Sequence, residues 1–145
     1  MKYNIKLEIA APVIFLLTIV FLLFATWLEP KIEHVDQDFL KSNIGKNGVL
    51  VVDVRDEEDF YSGHINGAIN FPLSDLRIKA AAAALARAGL TKRTAIILYC
   101  ERGALSEVFG ETLIREFGYS AQQIKNYSGG MKDWLSNSNN ITSQE

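Results

Sequence analysis

The chain has 145 residues, 48% of them hydrophobic, and its 15 Lys and Arg nearly balance its 17 Asp and Glu. A formal net charge of -2 without a basic cluster argues against nucleic acid as the main partner, because neutralising phosphates requires grouped Lys and Arg. The single cysteine excludes an intramolecular disulfide and a zinc site built from several cysteines. These features are typical of one small globular domain with an additional segment.

The additional segment is an uncharged apolar run near the N-terminus, Ile9–Leu28. As a helix it would be about 30 Å long, which is the thickness of the hydrocarbon core of a bilayer. Lys2 and Lys6 in front of it also fit the basic start of a cleaved signal peptide. We favour an uncleaved anchor, because the run is long, lacks the small-residue pattern of a cleavage site and contains Trp27, which suits a membrane interface. The sequence therefore predicts that residues 1–28 form a single-pass transmembrane helix in the cytoplasmic (inner) membrane.

The basic residues that flank this run do not decide its orientation, since Lys2 and Lys6 precede it and Lys31 and Lys41 follow it. The free α-amine adds one positive charge to the N-terminal side. We therefore expect the N-terminus in the cytoplasm and the rest of the chain on the extracytoplasmic side.

Beyond the apolar run, strand and helix patterns alternate, which is typical of an α/β domain with a mainly parallel sheet. Two runs rich in β-branched residues, 49–54 and 94–99, predict strands that are buried on both faces. Residues 67–72 and 123–127 predict weaker strands. We assign residues 29–136 to this domain and residues 137–145 to a flexible tail.

Five segments of the domain have helical patterns. Residues 34–44 predict a short helix with Val35, Phe39 and Leu40 on one face, and Asp56 is the candidate N-cap of the next helix. The other predicted helices cover residues 56–63, 74–88 and 104–117, and a last one that contains Trp134.

The candidate catalytic residues follow the second buried strand, at Cys100-Glu101-Arg102-Gly103-Ala104-Leu105-Ser106. Ligands of open α/β sheets bind at the carboxyl ends of the strands. A tight turn from strand to helix directs successive backbone N–H groups toward one point, where they stabilise a thiolate, a persulfide or an oxyanion. Gly103 allows such a turn, and Ser106 can donate a hydrogen bond to the anion.

Four motifs in order make the domain similar to single-domain rhodaneses, over about residues 49–134. They are Asp53-Val54-Arg55, then Gly63-His64-Ile65 with Gly67-Ala68, then Cys100-x-x-Gly103-x-x-Ser106, and finally Gly129-Gly130-x-x-x-Trp134. The resemblance implies a five-stranded parallel sheet flanked by helices. It also implies transfer of a sulfane sulfur through a cysteine persulfide, without a metal or an organic cofactor.

The resemblance also assigns roles to individual residues. Cys100 matches the nucleophile, and the six residues after it (Glu101, Arg102, Gly103, Ala104, Leu105 and Ser106) match the loop that binds the substrate. Arg102 lies where a cation attracts an anionic donor. Asp53, Arg55 and His64 match signatures that support the structure.

Two departures from the family pattern concern the substrate. Glu101 lies beside the nucleophile, and Leu105 replaces an Arg that many members carry. Both weaken the attraction for a dianion such as thiosulfate. We therefore expect a less charged donor or a protein-bound persulfide.

A related family of cysteine phosphatases also resembles this fold. Those enzymes carry an Arg six positions after the cysteine and a His before it, where this chain has Ser106 and Tyr99. Without that Arg, the bidentate contact to a phosphoryl group is missing, which argues against a phosphatase.

Two hypotheses of different classes follow. The first is a sulfurtransferase whose partners are small sulfur donors and acceptors or a protein thiol. The second is a membrane-tethered binding or adaptor module that has the fold without turnover.

Overall fold

The computed structural model describes residues 5–27, 31–73, 80, 95–136 and 141–142. The chain divides into two compact units, Met1–Pro30 and Lys31–Glu145. The predicted helix over residues 74–88 lies outside the described residues except for residue 80, as do most of the predicted tail and Leu28.

The first unit contains one helix, α1 (Ile5–Trp27). It begins before the uncharged apolar run that starts at Ile9 and therefore includes Lys6 and Glu8, and it also contains Pro12. Within the described part of the chain, no helix has the combined length and hydrophobicity that a membrane span requires. The predicted transmembrane helix is therefore not supported.

The second unit is built on a parallel sheet. Its strands are β1 (Glu33–Val35), β2 (Val49–Asp53), β4 (Ile69–Asn70), β5 (Ala95–Tyr99) and β6 (Ile124–Tyr127). All neighbours pair in parallel, in the order β1-β6-β5-β2-β4. Two short strands, β3 (His64–Ile65) and β7 (Ile141–Thr142), form a separate antiparallel pair. The predicted five-stranded parallel sheet is confirmed.

Helices α2 (Gln37–Asn43) and α5 (Gly130–Ser136) pack on one face of this sheet, and α4 (Ala104–Phe117) packs on the other. Helix α3 (Glu57–Ser62) lies directly before β3 in the chain. Alternate residues of β5 divide between two clusters, because successive side chains of a strand point to opposite faces. Leu98 packs with residues of α4, whereas Ile97 packs with residues of α2 and α5. The helices therefore cover both faces of the central strand.

The sequence of helix α4 explains why the helix packs against the sheet. Its buried residues are spaced three and four apart, so they share one stripe that faces the sheet. They are Ser106, Phe109, Gly110, Leu113 and Ile114. A Cβ at Gly110 would lie 3.1 Å from methyl carbons of both Leu98 and Ile124, so glycine lets the helix approach the sheet closely.

The prediction of a helix over residues 34–44 is wrong at its start. His34 and Val35 belong to β1, which pairs with β6. The helix begins only after Asp36, whose carboxylate accepts a hydrogen bond from the backbone N–H of Phe39 at 2.8 Å. Pairing with a strand from the other end of the domain therefore prevails over the local helical pattern.

Other boundaries also differ from the predicted ones. Asp56 lies at the N-cap of α3 as predicted, but its side chain makes no capping hydrogen bond. The strand predicted over residues 67–72 is reduced to β4, and the sequence patterns did not predict β3 or β7.

Candidate active site

The candidate site lies at the carboxyl ends of the central strands. Strand β2 ends at Asp53, β5 ends at Tyr99 directly before Cys100, and β6 ends at Tyr127. Because the strands are parallel, these ends share one edge of the sheet, where ligands of α/β folds bind. The sheet therefore brings the predicted nucleophile and the Asp53–Arg55 signature to the same place.

Cys100 is a free thiol, only 5% exposed, that lines a cavity of about 380 Å³. The cavity walls are formed by Val54, Arg55, Asp56, Asp59, Leu73, Cys100, Glu101 and Leu105. Four predicted site residues, Cys100, Glu101, Leu105 and Arg55, are thus brought together. A buried thiol in the wall of an open cavity can be reached by a small molecule.

A buried hydroxyl lies behind the thiol. The Oγ of Ser106 is 3.5 Å from the Sγ of Cys100, within hydrogen-bonding distance for sulfur. It is also 2.8 Å from the Oδ1 of Asn126 on β6. The first turn of α4 therefore contributes Ser106 to the surroundings of the sulfur.

The turn between Cys100 and α4 depends on Gly103. This residue is the N-cap of α4 and has a φ of 80°, a left-handed conformation that favours glycine. A Cβ there would lie 2.6 Å from the Cα of Ser128. Gly103 therefore allows both the sharp turn and close contact with the segment after β6.

Helix α5 holds the other side of the loop. The backbone N–H of Met131 donates to the carbonyl of Cys100 at 2.9 Å, and that of Lys132 donates to the carbonyl of Glu101 at 3.1 Å. Gly130, with a φ of 62°, has no room for a Cβ, which would lie 2.5 Å from the Cys100 carbonyl oxygen. The Gly129-Gly130 motif thus lets the start of α5 pack against the backbone of the nucleophile.

Asp53 and Arg55 form a buried ion pair beside the cavity. The Nε and Nη2 atoms of Arg55 donate to the Asp53 carboxylate at 3.1 and 2.7 Å, and Nη2 also donates to the carbonyl of Gly63 at 2.7 Å. Burial acts to lower the pKa of Arg55, but the hydrogen bonds and the charge of Asp53 outweigh it and raise that pKa. The positive charge of Arg55 is therefore largely engaged within the protein.

Tyr99 completes this buried group. Its hydroxyl accepts a hydrogen bond from the backbone N–H of Ile65 at 3.2 Å and donates to Asp53. Burial raises the pKa of Tyr99 well above its usual range, and the Asp53 carboxylate raises it further. The hydroxyl therefore stays protonated and serves as a constant donor to Asp53.

Among the predicted residues that do not line the cavity are His64 and Arg102. His64 is buried, stacks on Phe60 at 3.7 Å between ring centroids, and donates from Nδ1 to the Phe60 carbonyl at 2.9 Å. Arg102 is exposed and is not one of the residues that line the cavity. Their roles as a support and as an attracting cation stay predictions.

The sequence patterns missed several residues of the site. Asn126 is fully buried beside Ser106, and no sequence signal distinguishes it, because its strand also contains the charged Lys125. Asp56, which the sequence predicts only as a helix N-cap, and Asp59 both line the cavity.

Comparisons with known proteins agree with this geometry. A family model described as a rhodanese-like domain matches residues 36–137. The chain belongs to the rhodanese-like family. Among its described residues, no group of three or more His, Cys, Asp or Glu could hold a metal ion.

Similar curated proteins include both short chains and longer ones. The thiosulfate sulfurtransferase PspE of Escherichia coli is 33% identical over 57% of this chain and 70% of its own length. The HTH-type transcriptional regulator Rv0324 of Mycobacterium tuberculosis is 35% identical over 59% of this chain, but the match covers only 34% of that regulator. A solution structure of the rhodanese-like domain of Alr3790 from Anabaena has a TM-score of 0.61 at 24% identity, with 81% of each chain covered.

The contact between α5 and the loop predicts that Gly130→Ala destabilises this rhodanese-like domain more than Gly118→Ala does. Gly118, with a φ of 72°, ends α4 and has open space around it, so its substitution costs only the left-handed conformation, about 1–2 kcal/mol. Gly130→Ala adds the clash with the Cys100 carbonyl. Urea unfolding of both variants would measure the difference, and equal losses would contradict the close packing.

The buried ion pair predicts a large loss of stability for Arg55→Ala. It leaves the Asp53 carboxylate buried without its cation, which costs about 3–5 kcal/mol. The matched control is Arg115→Ala, which removes an exposed pair with Glu111 on one face of α4 and should cost only about 0.3–0.5 kcal/mol. Similar unfolding midpoints for the two variants would show that the Asp53–Arg55 pair has no special role.

Proposed function

We propose that this protein is a sulfurtransferase that carries a sulfane sulfur as a persulfide on Cys100. The observation that carries the proposal is the placement of the thiol, which directly follows the central strand, lines the cavity and lies beside the first turn of α4. The first N–H groups of a helix have no partner within the helix and favour negative charge. The similarity to PspE, a thiosulfate sulfurtransferase, supports the same chemistry.

The reaction has two displacement steps. The Cys100 thiolate attacks the outer sulfur of the donor, a sulfur–sulfur bond forms, and the rest of the donor leaves with the electron pair of the broken bond. An acceptor nucleophile, such as cyanide or a thiol, then takes the outer sulfur, and the thiolate returns. Backbone N–H groups between Glu101 and Ser106 would hold the negative charge of the persulfide. These steps require neither a metal nor an organic cofactor.

The charges around the cavity favour a donor with little negative charge. Asp56, Asp59 and Glu101 line it, and the cation among its lining residues, Arg55, is bound to Asp53. A thiosulfate dianion would meet these carboxylates before it reached the thiol. We therefore propose a persulfide of a small thiol or of a partner protein as the donor.

A second function has support from one comparison. The match to a transcriptional regulator covers only 34% of that protein, so a similar segment occurs as part of a longer protein. A binding or adaptor module without turnover is therefore the alternative proposal. The membrane location and the extracytoplasmic side stay predictions from the sequence.

The sulfurtransferase proposal predicts a persulfide that mass spectrometry can detect. After incubation with thiosulfate or glutathione persulfide, the intact full-length chain should gain the mass of one sulfur atom, and cyanide should remove it. Cys100→Ser is the control and should never gain it. If neither donor gave an adduct that cyanide removes, the adaptor proposal would replace this one.

The donor hypothesis predicts that Glu101→Gln speeds the reaction with thiosulfate. Removing one carboxylate weakens the repulsion of the dianion and removes the contact of Glu101 with the Nη1 of Arg55 at 3.9 Å. We expect a gain of about five- to tenfold at low ionic strength and a smaller gain in high salt. Glu111→Gln changes the net charge equally at an exposed site of α4 and should leave the rate unchanged. An unchanged thiosulfate rate in Glu101→Gln would disprove the hypothesis.

A further inference from the structure

Asn126 is a fully buried amide in strand β6, on the same face of the sheet as Ile124. Neighbouring positions on this face are apolar, as with Ile124 and Leu98. Burying an amide in such a place costs free energy unless its polar atoms are hydrogen-bonded. Both ends of the Asn126 side chain have partners, and both partners belong to the segment that surrounds the Cys100 sulfur.

The contacts determine which end of the amide faces which partner. One end lies 2.9 Å from the carbonyl oxygen of Gly103, which only accepts hydrogen bonds, so this end is the Nδ2 donor. The other end is therefore Oδ1, an acceptor, and it lies 2.8 Å from the Oγ of Ser106. Ser106 must supply the proton of that hydrogen bond.

The Ser106 hydroxyl has one proton and three acceptors around it. They are the Oδ1 of Asn126 at 2.8 Å, the carbonyl oxygen of Gly103 at 3.1 Å and the Sγ of Cys100 at 3.5 Å. The shortest contact is the one to Asn126, and Gly103 already accepts from Asn126 and from the backbone of Glu107. While Ser106 donates its proton to Asn126, the Ser106 oxygen can only accept a hydrogen bond at the sulfur.

We propose that Asn126 is a positioning residue that controls the direction of the Ser106 hydroxyl and thereby the ionisation of Cys100. With the neutral thiol, Ser106 donates to Asn126 and accepts from the S–H group. When the thiol gives its proton to solvent, the hydroxyl rotates, its hydrogen bond to Asn126 breaks and one to the negatively charged sulfur forms. The inference rests on Cys100 as the reacting thiol, but its test does not require that sulfur is transferred.

Asn126 therefore opposes ionisation, because the thiolate gains the Ser106 donor only when the buried Oδ1 atom loses it. Removing Oδ1 should favour the thiolate, whereas removing the hydroxyl should disfavour it. The two substitutions should shift the ionisation of the thiol in opposite directions. The effect of removing the Asn126 Oδ1 atom should also require the Ser106 hydroxyl. A residue that merely supported the loop would show no such dependence.

The test is the pH dependence of Cys100 alkylation by iodoacetamide, with the full-length chain in non-ionic detergent. The chain has one cysteine, so the rate reports on this thiol alone. The variants leave unchanged the charged groups that line the same cavity, which are Arg55, Asp56, Asp59 and Glu101. We expect Asn126→Leu to move the midpoint of the rate profile down by about one pH unit, since a hydrogen bond to a charged group has about this strength. Ser106→Ala should move it up, and Asn126→Leu added to Ser106→Ala should cause no further shift.

Controls make each outcome decisive. Thr112→Val removes a hydroxyl from the exposed side of α4, where it bonds to the Val108 carbonyl, and should leave the midpoint unchanged. A shift in Asn126→Leu that persists unchanged in the Ser106→Ala background would overturn the proposal, as would the absence of any shift.

If Asn126→Leu does not fold, Asn126→Asp provides the same comparison with the opposite sign. Its carboxylate holds the Ser106 proton more strongly and should move the midpoint up. Part of that shift comes from the added charge and survives in the Ser106→Ala background. The upward shift must be larger when Ser106 is present, and equal shifts in the two backgrounds would overturn the proposal.

Discussion

The buried ion pair between Asp53 and Arg55 connects most of the elements that form the site. Its side-chain bonds reach Gly63 at the end of α3 and, through the Asp53 carboxylate, Tyr99 on β5. The Asp53 carbonyl accepts the backbone N–H of Phe71 at 2.7 Å, which holds the segment after β4. Because neither charge can be left unpaired in the interior, the ends of these elements are constrained to meet. The cavity in front of Cys100 depends on this arrangement.

The loop that carries the nucleophile is held by backbone contacts as well as by side chains. Gly103 contacts Ser128, and Gly130 contacts the carbonyl of Cys100, so any side chain at either position would separate the loop from the segment after β6. Ser106 and Asn126 form a second link between the same two segments. The surroundings of the sulfur are therefore assembled from two strands that are adjacent in the sheet, β5 and β6. This placement gives the thiol a fixed set of hydrogen-bonding neighbours.

The sequence predicted the central part of this architecture because local and long-range preferences agree there. The β-branched run of β2 favours a buried strand by itself. The spacing of apolar side chains predicts a helix over residues 104–117, and the structure has the same bounds. At the edge of the sheet the local and long-range preferences differ. The local sequence around His34 and Val35 predicts a helix, but these residues form β1 because they pair with β6. The predicted site residues at Cys100 and Arg55 come together, but Asn126 and Asp59 reach the site through tertiary contacts that no motif encodes.

The strand order also affects how the domain folds. The first strand of the sheet, β1, pairs with the strand of the sheet that comes last in the chain, β6, and Glu33 and Lys125 in this pair are 92 residues apart. The chain therefore cannot complete the sheet until nearly the whole domain has been synthesised. Contacts between such distant residues slow folding, because the entropy of closing a long loop is lost before the contacts stabilise the structure. During synthesis, the edge of β1 that later pairs with β6 has no partner strand. The surroundings of the Cys100 sulfur are completed only after β6 has been synthesised.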